Sequence, residues 1–183
     1  MRSIRALKPN VTREDAIERF TAARWWTGLT ATLPSTRTIA ELYIPYRIFR
    51  VEISQGDHPE IRFLGIDAAS GSLDLYGFDQ LPGPGEVVVR QTRNAVNSQL
   101  SDALASELVV EKVRRILYGR GFFSLRKLRL RADVLPGDLY IPYWVGFSGQ
   151  QQVSRIRVID AVRGTIEGGK VRRVIEDWVT SPS

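Results

Sequence analysis

Hydrophobic and polar positions alternate in the second half of the chain and predict strands there. Residues 128–134 read Leu-Arg-Leu-Arg-Ala-Asp-Val, a strict alternation. A strand with this pattern buries one face and exposes the other, which is typical of an antiparallel sheet. Aromatic and β-branched residues are dense over 139–147, and further apolar positions over 153–161 predict a third strand. Pro136 and Gly137 predict a turn between the first two strands.

Apolar residues at helical spacing predict helices in three places. Thr12 is followed by Ala16 and Phe20, and Asp15 stands three residues after Thr12, as at the start of a helix. Over 100–117 an apolar stripe changes phase, so this region is one long helix or two, and Gly119 ends it. An i, i+3, i+4, i+7, i+8 stripe predicts an amphipathic helix near the end, formed by Val171, Val174, Ile175, Trp178 and Val179.

Two segments of the chain are nearly identical and predict an internal duplication. Residues 41–46 read ELYIPY and residues 138–143 read DLYIPY, an offset of 97. The same offset pairs Ala16 with Val113 and Phe20 with Leu117 in the predicted helices. IDAASG over 66–71 recurs as IDAVRG over 159–164, at an offset of 93. Because the helix, the LYIPY segment and the DAxxG segment come twice in the same order, coincidence is a poor explanation.

The predicted fold is α+β, with two lobes that each place a helix on an antiparallel sheet. The first lobe covers 1–80, a linker with a Pro- and Gly-rich stretch covers 81–98, and the second lobe covers 99–183. A lobe of about 90 residues buries a limited core, so we expect the two lobes to dock on each other. A pseudo-two-fold arrangement is the natural geometry for two similar lobes.

The turn segments carry a resemblance to a known family. A helix followed by an antiparallel hairpin with a V/I-D-A-x-x-G turn resembles the PepSY domain, and the matching residues are Ile66, Asp67, Ala68 and Gly71, then Ile159, Asp160, Ala161 and Gly164. The resemblance implies a cystatin-like α+β lobe and a role in binding or inhibiting a partner. PepSY proteins are usually exported or attached to membranes, whereas no secretory signal is evident here.

Composition narrows the chemistry. The 183 residues are 43% hydrophobic and 25% charged, which is typical of a globular protein. There is no cysteine and only one histidine, His58, so disulfides, thiolate sites and His-rich metal sites are excluded. The loop around His58 also holds Asp57 and Glu60, and we interpret it as solvated. We predict no catalytic residue, no metal, no cofactor, no transmembrane segment and a cytoplasmic location.

Positive charge offers one functional hypothesis. Lys and Arg number 26 against 20 Asp and Glu, and 22 of the cations are arginine. The cations are spread along the chain, so most are expected to be solvated surface charges. Two predicted strands nevertheless concentrate them and could bind nucleic acid on a sheet face, through Arg126, Lys127, Arg129, Arg131, Arg155 and Arg157.

The repeated aromatic residues offer the leading hypothesis. A ligand, protein or peptide could contact the aromatic side chains of the LYIPY segments, which are Tyr43, Tyr46, Tyr140, Tyr143 and Trp144. The alternative is that these rings pack beneath a helix. Pro45 and Pro142 cannot donate to a sheet ladder and mark an edge or a bulge. The sequence thus favours a non-catalytic binding or regulatory module.

Carboxylates at repeated positions leave an enzyme as a further alternative. Glu41 and Asp138 each precede a LYIPY segment, and symmetry could bring them together as an acid–base pair. Turn capping and solvation explain them equally well. Asp67 and Asp160 are expected to accept hydrogen bonds within their own turns.

Overall fold

The structure alternates short helices with strands of very unequal length. It is a computed structural model that describes residues 1–22, 36–55, 58–119, 128–148 and 155–180. The helices are α1 (Arg13–Ala22), α2 (Asp102–Gly119) and α3 (Gly169–Thr180). The strands are β1 (Arg2–Leu7), β2 (Thr36–Gln55), β3 (His58–Asp67), β4 (Tyr76–Phe78), β5 (Val87–Thr92), β6 (Leu128–Ser148) and β7 (Arg155–Asp160). None of these described helices has the length and apolar character needed to cross a membrane.

The described strands form a mixed sheet. Their order is β4-β3-β2-β6-β1-β5, and β7 also pairs with β6. β2 with β3 and β6 with β7 are antiparallel, as in a hairpin, with Tyr143 opposite Asp160 in the second pair. β1 instead runs parallel to β6, with Ala6 opposite Tyr140. The α+β class is confirmed, and the parallel pairing of β1 adds to the antiparallel sheet that the sequence predicts.

The chain forms two compact units, and both halves of the sequence contribute to each. Unit 1 takes in the described residues of Met1–Ile44, Val88–Val96 and Tyr140–Ser183, and unit 2 those of Pro45–Val87 and Asn97–Leu139. Strands β2 and β6 each pass from one unit to the other inside a LYIPY segment. These units differ from the predicted lobes, since neither is a continuous stretch of chain.

The core of unit 2 lies between α2 and the strands β2 and β3. The helix supplies a residue at every fourth position, which keeps them on one face. These are Ala105, Val109, Val113 and Leu117. The strands supply residues that are fully or nearly fully buried, namely Phe49, Val51, Ile53 and Ile66. Burial of each large apolar side chain contributes about 1.5–3 kcal/mol, so this cluster dominates the stability of the unit.

The core of unit 1 lies around α1. Ala16 and Phe20 of this helix pack with Trp144, Ile159 and Ala161. The helix begins as the sequence predicts, in a reciprocal cap. The hydroxyl of Thr12 accepts the backbone N–H of Asp15, and the Asp15 carboxylate accepts the backbone N–H of Thr12, both at 3.1 Å. Hydrogen bonding of the Asp15 carboxylate to the Thr12 side chain, and then to the Thr12 backbone N–H, lowers the pKa of Asp15. The terminal helix α3 is also present and buries Val171, Val174 and Ile175.

Three local predictions need correction or refinement. β6 continues through Pro136–Gly137 as one strand, so the predicted turn there is wrong. Gly137 has φ of 77°, which permits a local kink without reversing the chain. The stripe over 100–117 belongs to one helix, α2. After the second DAxxG turn, Ile166 forms an isolated antiparallel bridge with Ile159. Within the predicted linker 81–98, residues 87–92 form β5.

Candidate binding surface

The five aromatic side chains of the LYIPY segments are buried. Tyr46 and Tyr143 are only 2% and 1% exposed, and the most exposed of the five is Trp144 at 9%. Tyr43 and Tyr140 belong to a cluster that is completed by Ile4, Ala6 and Ala95. The packing alternative therefore describes all five rings in this structure. A ligand could reach them only if the core opened, and their role in binding remains a prediction.

The two prolines join strands to turns. The carbonyl of Pro45 accepts the N–H of Ala68 at 2.8 Å, and the carbonyl of Pro142 accepts the N–H of Ala161 at 3.0 Å. Proline cannot donate to a neighbouring strand, but its carbonyl remains a full acceptor. In each case that carbonyl holds the DAxxG turn of the same unit against the LYIPY segment.

Asp67 organises the first of these turns. It is fully buried, and its carboxylate accepts the backbone N–H groups of Ser70 at 2.7 Å, Gly71 at 3.1 Å and Leu73 at 2.8 Å. The turn needs a left-handed residue at Gly71, where φ is 71°. The predicted role of Asp67 within its own turn is confirmed.

Asp160 organises the second turn with fewer bonds. Its Oδ1 accepts the N–H groups of Val162 at 2.7 Å and Arg163 at 2.8 Å, and Gly164 again has φ of 71°. Its Oδ2 is buried and has no hydrogen-bond partner within the described part of the chain. The predicted turn role is confirmed here too, but half of the carboxylate is not used for it.

The two carboxylates proposed for an acid–base pair each have a local partner. Glu41 hydrogen-bonds to the Tyr43 hydroxyl in unit 1. Burial above all, and then this bond and charge, raise the pKa of Tyr43 well above its ordinary value, while the charge of Arg90 opposes the shift. Asp138 lies in unit 2 and pairs with Arg47 at 3.1 Å. These contacts give both carboxylates a structural explanation, and an acid–base role remains a prediction.

Arg47 and Trp144 each follow the last tyrosine of a LYIPY segment. Each donates a hydrogen bond to a backbone carbonyl just before a helix. The Trp144 Nε1 donates to the carbonyl of Val11 at 2.8 Å, one residue before the Thr12 cap of α1. The Arg47 Nη1 donates to the carbonyl of Leu100 at 2.6 Å, just before α2. Both carbonyls lie outside the hydrogen-bonding pattern of their helices, so these bonds anchor the incoming chain.

The segment predicted as a loop around His58 is in part strand, since His58 is the first residue of β3, and it offers no complete site to describe. Glu60 pairs with Arg62 at 2.6 Å. Asp57 and the side chain of His58 lie outside the described residues. Within the described ranges, no group of three or more His, Cys, Asp or Glu side chains is placed to hold a metal ion.

The predicted basic sheet face is only partly described. Arg126, Lys127 and the side chain of Arg155 lie outside the described residues. Arg129 is exposed, while Arg131 pairs with Asp133 at 3.0 Å. Arg157 donates to the carbonyl of Phe20 at 2.7 Å and thereby holds the end of α1. A shared nucleic-acid face formed by these six residues remains a prediction.

A second concentration of positive charge lies on β1 and β5, which are neighbours in the sheet. We call this surface the basic strand pair. Its exposed cations are Arg2 and Arg5 of β1, Arg90 of β5, and Lys8 and Arg93, which directly follow the two strands. No acidic residue occurs anywhere in 1–13 or in 87–101. The guanidinium of Arg2 also covers the ring of Tyr140, 5.1 Å from its centroid.

Four of the five cations of the basic strand pair lack an ion-pair partner among the described residues. Arg5, Lys8, Arg90 and Arg93 form no ion pair within the described part of the chain, whereas Arg47, Arg50, Arg62, Arg115 and Arg131 all do. With its five cations set apart, the rest of the chain has 21 cations against 20 acidic residues. These five cations belong to the acid-free stretches 1–13 and 87–101, which with Arg13 hold six cations, while the rest of the chain holds 20 cations and 20 acidic residues.

Sequence reasoning missed this surface because its two strands are about 85 residues apart along the chain. Neither strand is amphipathic enough to stand out, and one lies within the predicted linker. A signal was present in the two acid-free stretches, 1–13 and 87–101. Only the pairing of β1 with β5 shows that the two stretches form one surface.

Comparison of the chain with protein-family models, with curated proteins and with solved structures found no match. Function must therefore be inferred from the residues themselves. Of the surfaces described, the basic strand pair is the one formed by stretches of chain that carry cations and no acidic residue.

Proposed function

We propose that the protein is a non-catalytic module that binds the phosphodiester backbone of a nucleic acid through the basic strand pair. The observation that carries the proposal is a set of five exposed cations on two adjacent strands or directly after them, with no acidic residue in 1–13 or 87–101. β5 is the last strand in the sheet order and β1 is its neighbour, so these cations lie along one edge of the sheet, with Arg2 and Arg5 on opposite faces of β1.

Arginine suits this partner. Four of the five cations are arginine, whose planar guanidinium can donate two parallel hydrogen bonds to one phosphate. A polyanion releases counterions when such cations bind it, and this entropy gain supplies most of the affinity at low salt. Cations that already belong to internal ion pairs would contribute less, which is why the unpaired state of Arg5, Lys8, Arg90 and Arg93 matters.

The expected binding is independent of base sequence. Neither β1 nor β5 contains an aromatic residue. The nearby rings of Tyr43 and Tyr140 are each 3% exposed and cannot stack on bases. Contacts to phosphate position a nucleic acid but do not distinguish its sequence.

We also propose that the chain arose by internal duplication, as its repeated segments predict. The carbonyl of Ala161 accepts the N–H groups of Asn10 and Val11, and the carbonyl of Ala68 accepts those of Gln99 and Leu100. These matching bonds support the proposal with a helix offset of 89 residues instead of 97. The new offset pairs the buried residues Ala16 and Phe20 with the buried residues Ala105 and Val109. A PepSY-like origin of the two repeats remains part of this proposal.

A salt series tests the binding proposal. We would measure the fluorescence anisotropy of a labelled oligothymidylate and of a labelled duplex between about 50 and 200 mM salt. The test variant replaces Arg5, Lys8, Arg90 and Arg93 by serine and keeps Arg2, which packs on Tyr140. We expect its affinity to fall at least about 10-fold at low salt, and its salt dependence to become clearly shallower.

A matched control separates local from overall charge. It replaces four exposed cations outside the surface by serine, namely Arg114, Arg129, Arg172 and Arg173. Since both variants lose four positive charges, equal losses of affinity would contradict the proposal. So would absence of binding to either probe by the unaltered protein at low salt. Tighter binding to vesicles containing phosphatidylserine than to both probes would contradict it in favour of a membrane surface.

A further inference from the structure

Each half of the chain supplies the helix that completes a core built from the other half. In unit 1, Phe20 of α1 packs against Trp144 and Ile159, more than 120 residues further along the chain. In unit 2, Val109 of α2 packs in one cluster with Phe49, far back in the first half. Both helices therefore depend on long-range contacts.

Backbone hydrogen bonds also join the chain before each helix to a turn in the other half. The carbonyl of Ala161 accepts the N–H of Val11 at 2.9 Å, and the carbonyl of Ala68 accepts the N–H of Leu100 at 3.0 Å. In the first case the donor is in the first half and the acceptor in the second. In the second case the donor is in the second half and the acceptor in the first, so each half both donates and accepts a hydrogen bond.

The segment between the halves makes few contacts of its own. Residues 79–86 join β4 to β5, and most of them are exposed. The bonds between Gly83 and Glu86 are local to this segment, at 3.0 Å between backbone groups and 2.8 Å to the Glu86 carboxylate. These two bonds do not reach either core.

We infer that the half-chains 1–78 and 87–183 are mutual binding partners that remain assembled without the covalent link between them. Each half-chain presents an apolar surface on which a helix of the other half-chain packs. The structure identifies the helix that packs on each surface: α1 in unit 1 and α2 in unit 2. A half-chain from a second copy of this protein offers the same helix.

The test starts from the intact, folded protein. A protease recognition sequence is inserted between Pro84 and Gly85, and the folded protein is then cleaved. We expect the two pieces to co-elute in gel filtration at the mass of the uncut chain, near 20.7 kDa. The melting temperature of the cleaved protein should rise with concentration, since association is then bimolecular, while that of the uncut protein should not. Two pieces that elute separately and each retain a folded circular dichroism spectrum would overturn the inference.

A pair of substitutions on α1 tests whether the packing of this helix keeps the two pieces associated. Phe20→Ala removes a side chain that is 2% exposed, and Ile17→Ala removes one that is 39% exposed. In the cleaved protein, Phe20→Ala should raise the dissociation constant at least about 100-fold, and Ile17→Ala should change it only a few-fold. The uncut variants show by circular dichroism whether folding survives. Equal effects of the two substitutions would also overturn the inference.

Discussion

The two units anchor their helices at the same place with different chemistry. In unit 1 the neutral indole of Trp144 donates to the carbonyl of Val11, and its ring is part of the core. In unit 2 the charged guanidinium of Arg47 donates to the carbonyl of Leu100, and it also pairs with Asp102 at 2.7 Å and Asp138 at 3.1 Å. The fold requires a donor at this position and does not prescribe its chemistry.

This difference changes what stabilises each helix start. Burial of Trp144 contributes through the hydrophobic effect, which added salt does not weaken. The ion pair of Arg47 with Asp102 is of little value, because the side chain of Asp102 is 68% exposed. The pair with Asp138 is better protected, since that side chain is 17% exposed. Unit 2 should therefore respond to salt where unit 1 does not.

The largest expected effect comes from removing these two anchors. Trp144→Ala should lower the free energy of unfolding by about 3–5 kcal/mol, because it leaves a cavity and an unpaired carbonyl. Arg47→Met should cost about 2 kcal/mol, because it leaves Asp138 and the carbonyl of Leu100 without their donor. Urea denaturation of both variants, at low and at high salt, measures the two costs.

Trp144→Phe provides the control for this pair, since it keeps most of the apolar volume and loses only the hydrogen bond. High salt should reduce the cost of Arg47→Met and leave that of Trp144→Ala unchanged. A larger loss of unfolding free energy for Arg47→Met than for Trp144→Ala would contradict the contrast drawn here between the two units.

An intermediate effect is expected at the two turn aspartates. Asp67 uses both carboxylate oxygens, whereas Oδ2 of Asp160 has no partner among the described residues. Asp67→Asn would direct an N–H at a backbone donor and should cost about 1–3 kcal/mol. Asp160→Asn can place its amide nitrogen at the unused position and should cost less than about 1 kcal/mol. Thermal unfolding of the two variants compares them, and equal costs would remove this distinction between the turns.

The smallest effect concerns the two equivalent tyrosines. Tyr43→Phe loses a bond to Glu41 and should cost about 1 kcal/mol at neutral pH. The hydroxyl of Tyr140 is buried without a partner in the described structure, so Tyr140→Phe should be neutral or slightly stabilising. A cost for Tyr140→Phe as large as that for Tyr43→Phe would contradict this prediction.

Alkaline pH sharpens the tyrosine comparison. The pKa of Tyr43 is raised above its ordinary value of 10.0, so the folded state favours the neutral phenol. Its contribution is fully present below pH 10 and is lost as the pH rises above 10, where the unfolded chain ionises first. The alkaline loss of stability should therefore be shallower in Tyr43→Phe than in the unaltered protein, as measured by urea denaturation at several pH values.

Local features were predictable from the sequence. The Thr12 cap, the terminal helix and the two aspartate turns depend on residues within a few positions of one another, and local chemistry is enough to specify them. The role of the LYIPY aromatic residues was the hardest to predict, because the same apolar rings suit both a core and a binding site. Their burial follows from which elements cover them, and this was not visible in the sequence.

Long-range features were beyond sequence reasoning. The matching of Ala16 with Val113 assumed that the helix shares the offset of the LYIPY segment, but the hydrogen bonds before each helix favour 89 instead of 97. The short strand β5 lay in a stretch marked by proline and glycine as a linker. Its pairing with β1, which forms the basic strand pair, joins two segments whose charges looked unremarkable when taken separately.

The most direct test of the proposed function is a map of the nucleic-acid contact on the protein. Amide chemical shifts of isotope-labelled protein would be followed by nuclear magnetic resonance during titration with oligothymidylate. We predict that the largest changes fall in residues 2–8 and 87–93, on the basic strand pair. Changes centred on Arg129 and Arg131, with none on β1 and β5, would contradict the proposal.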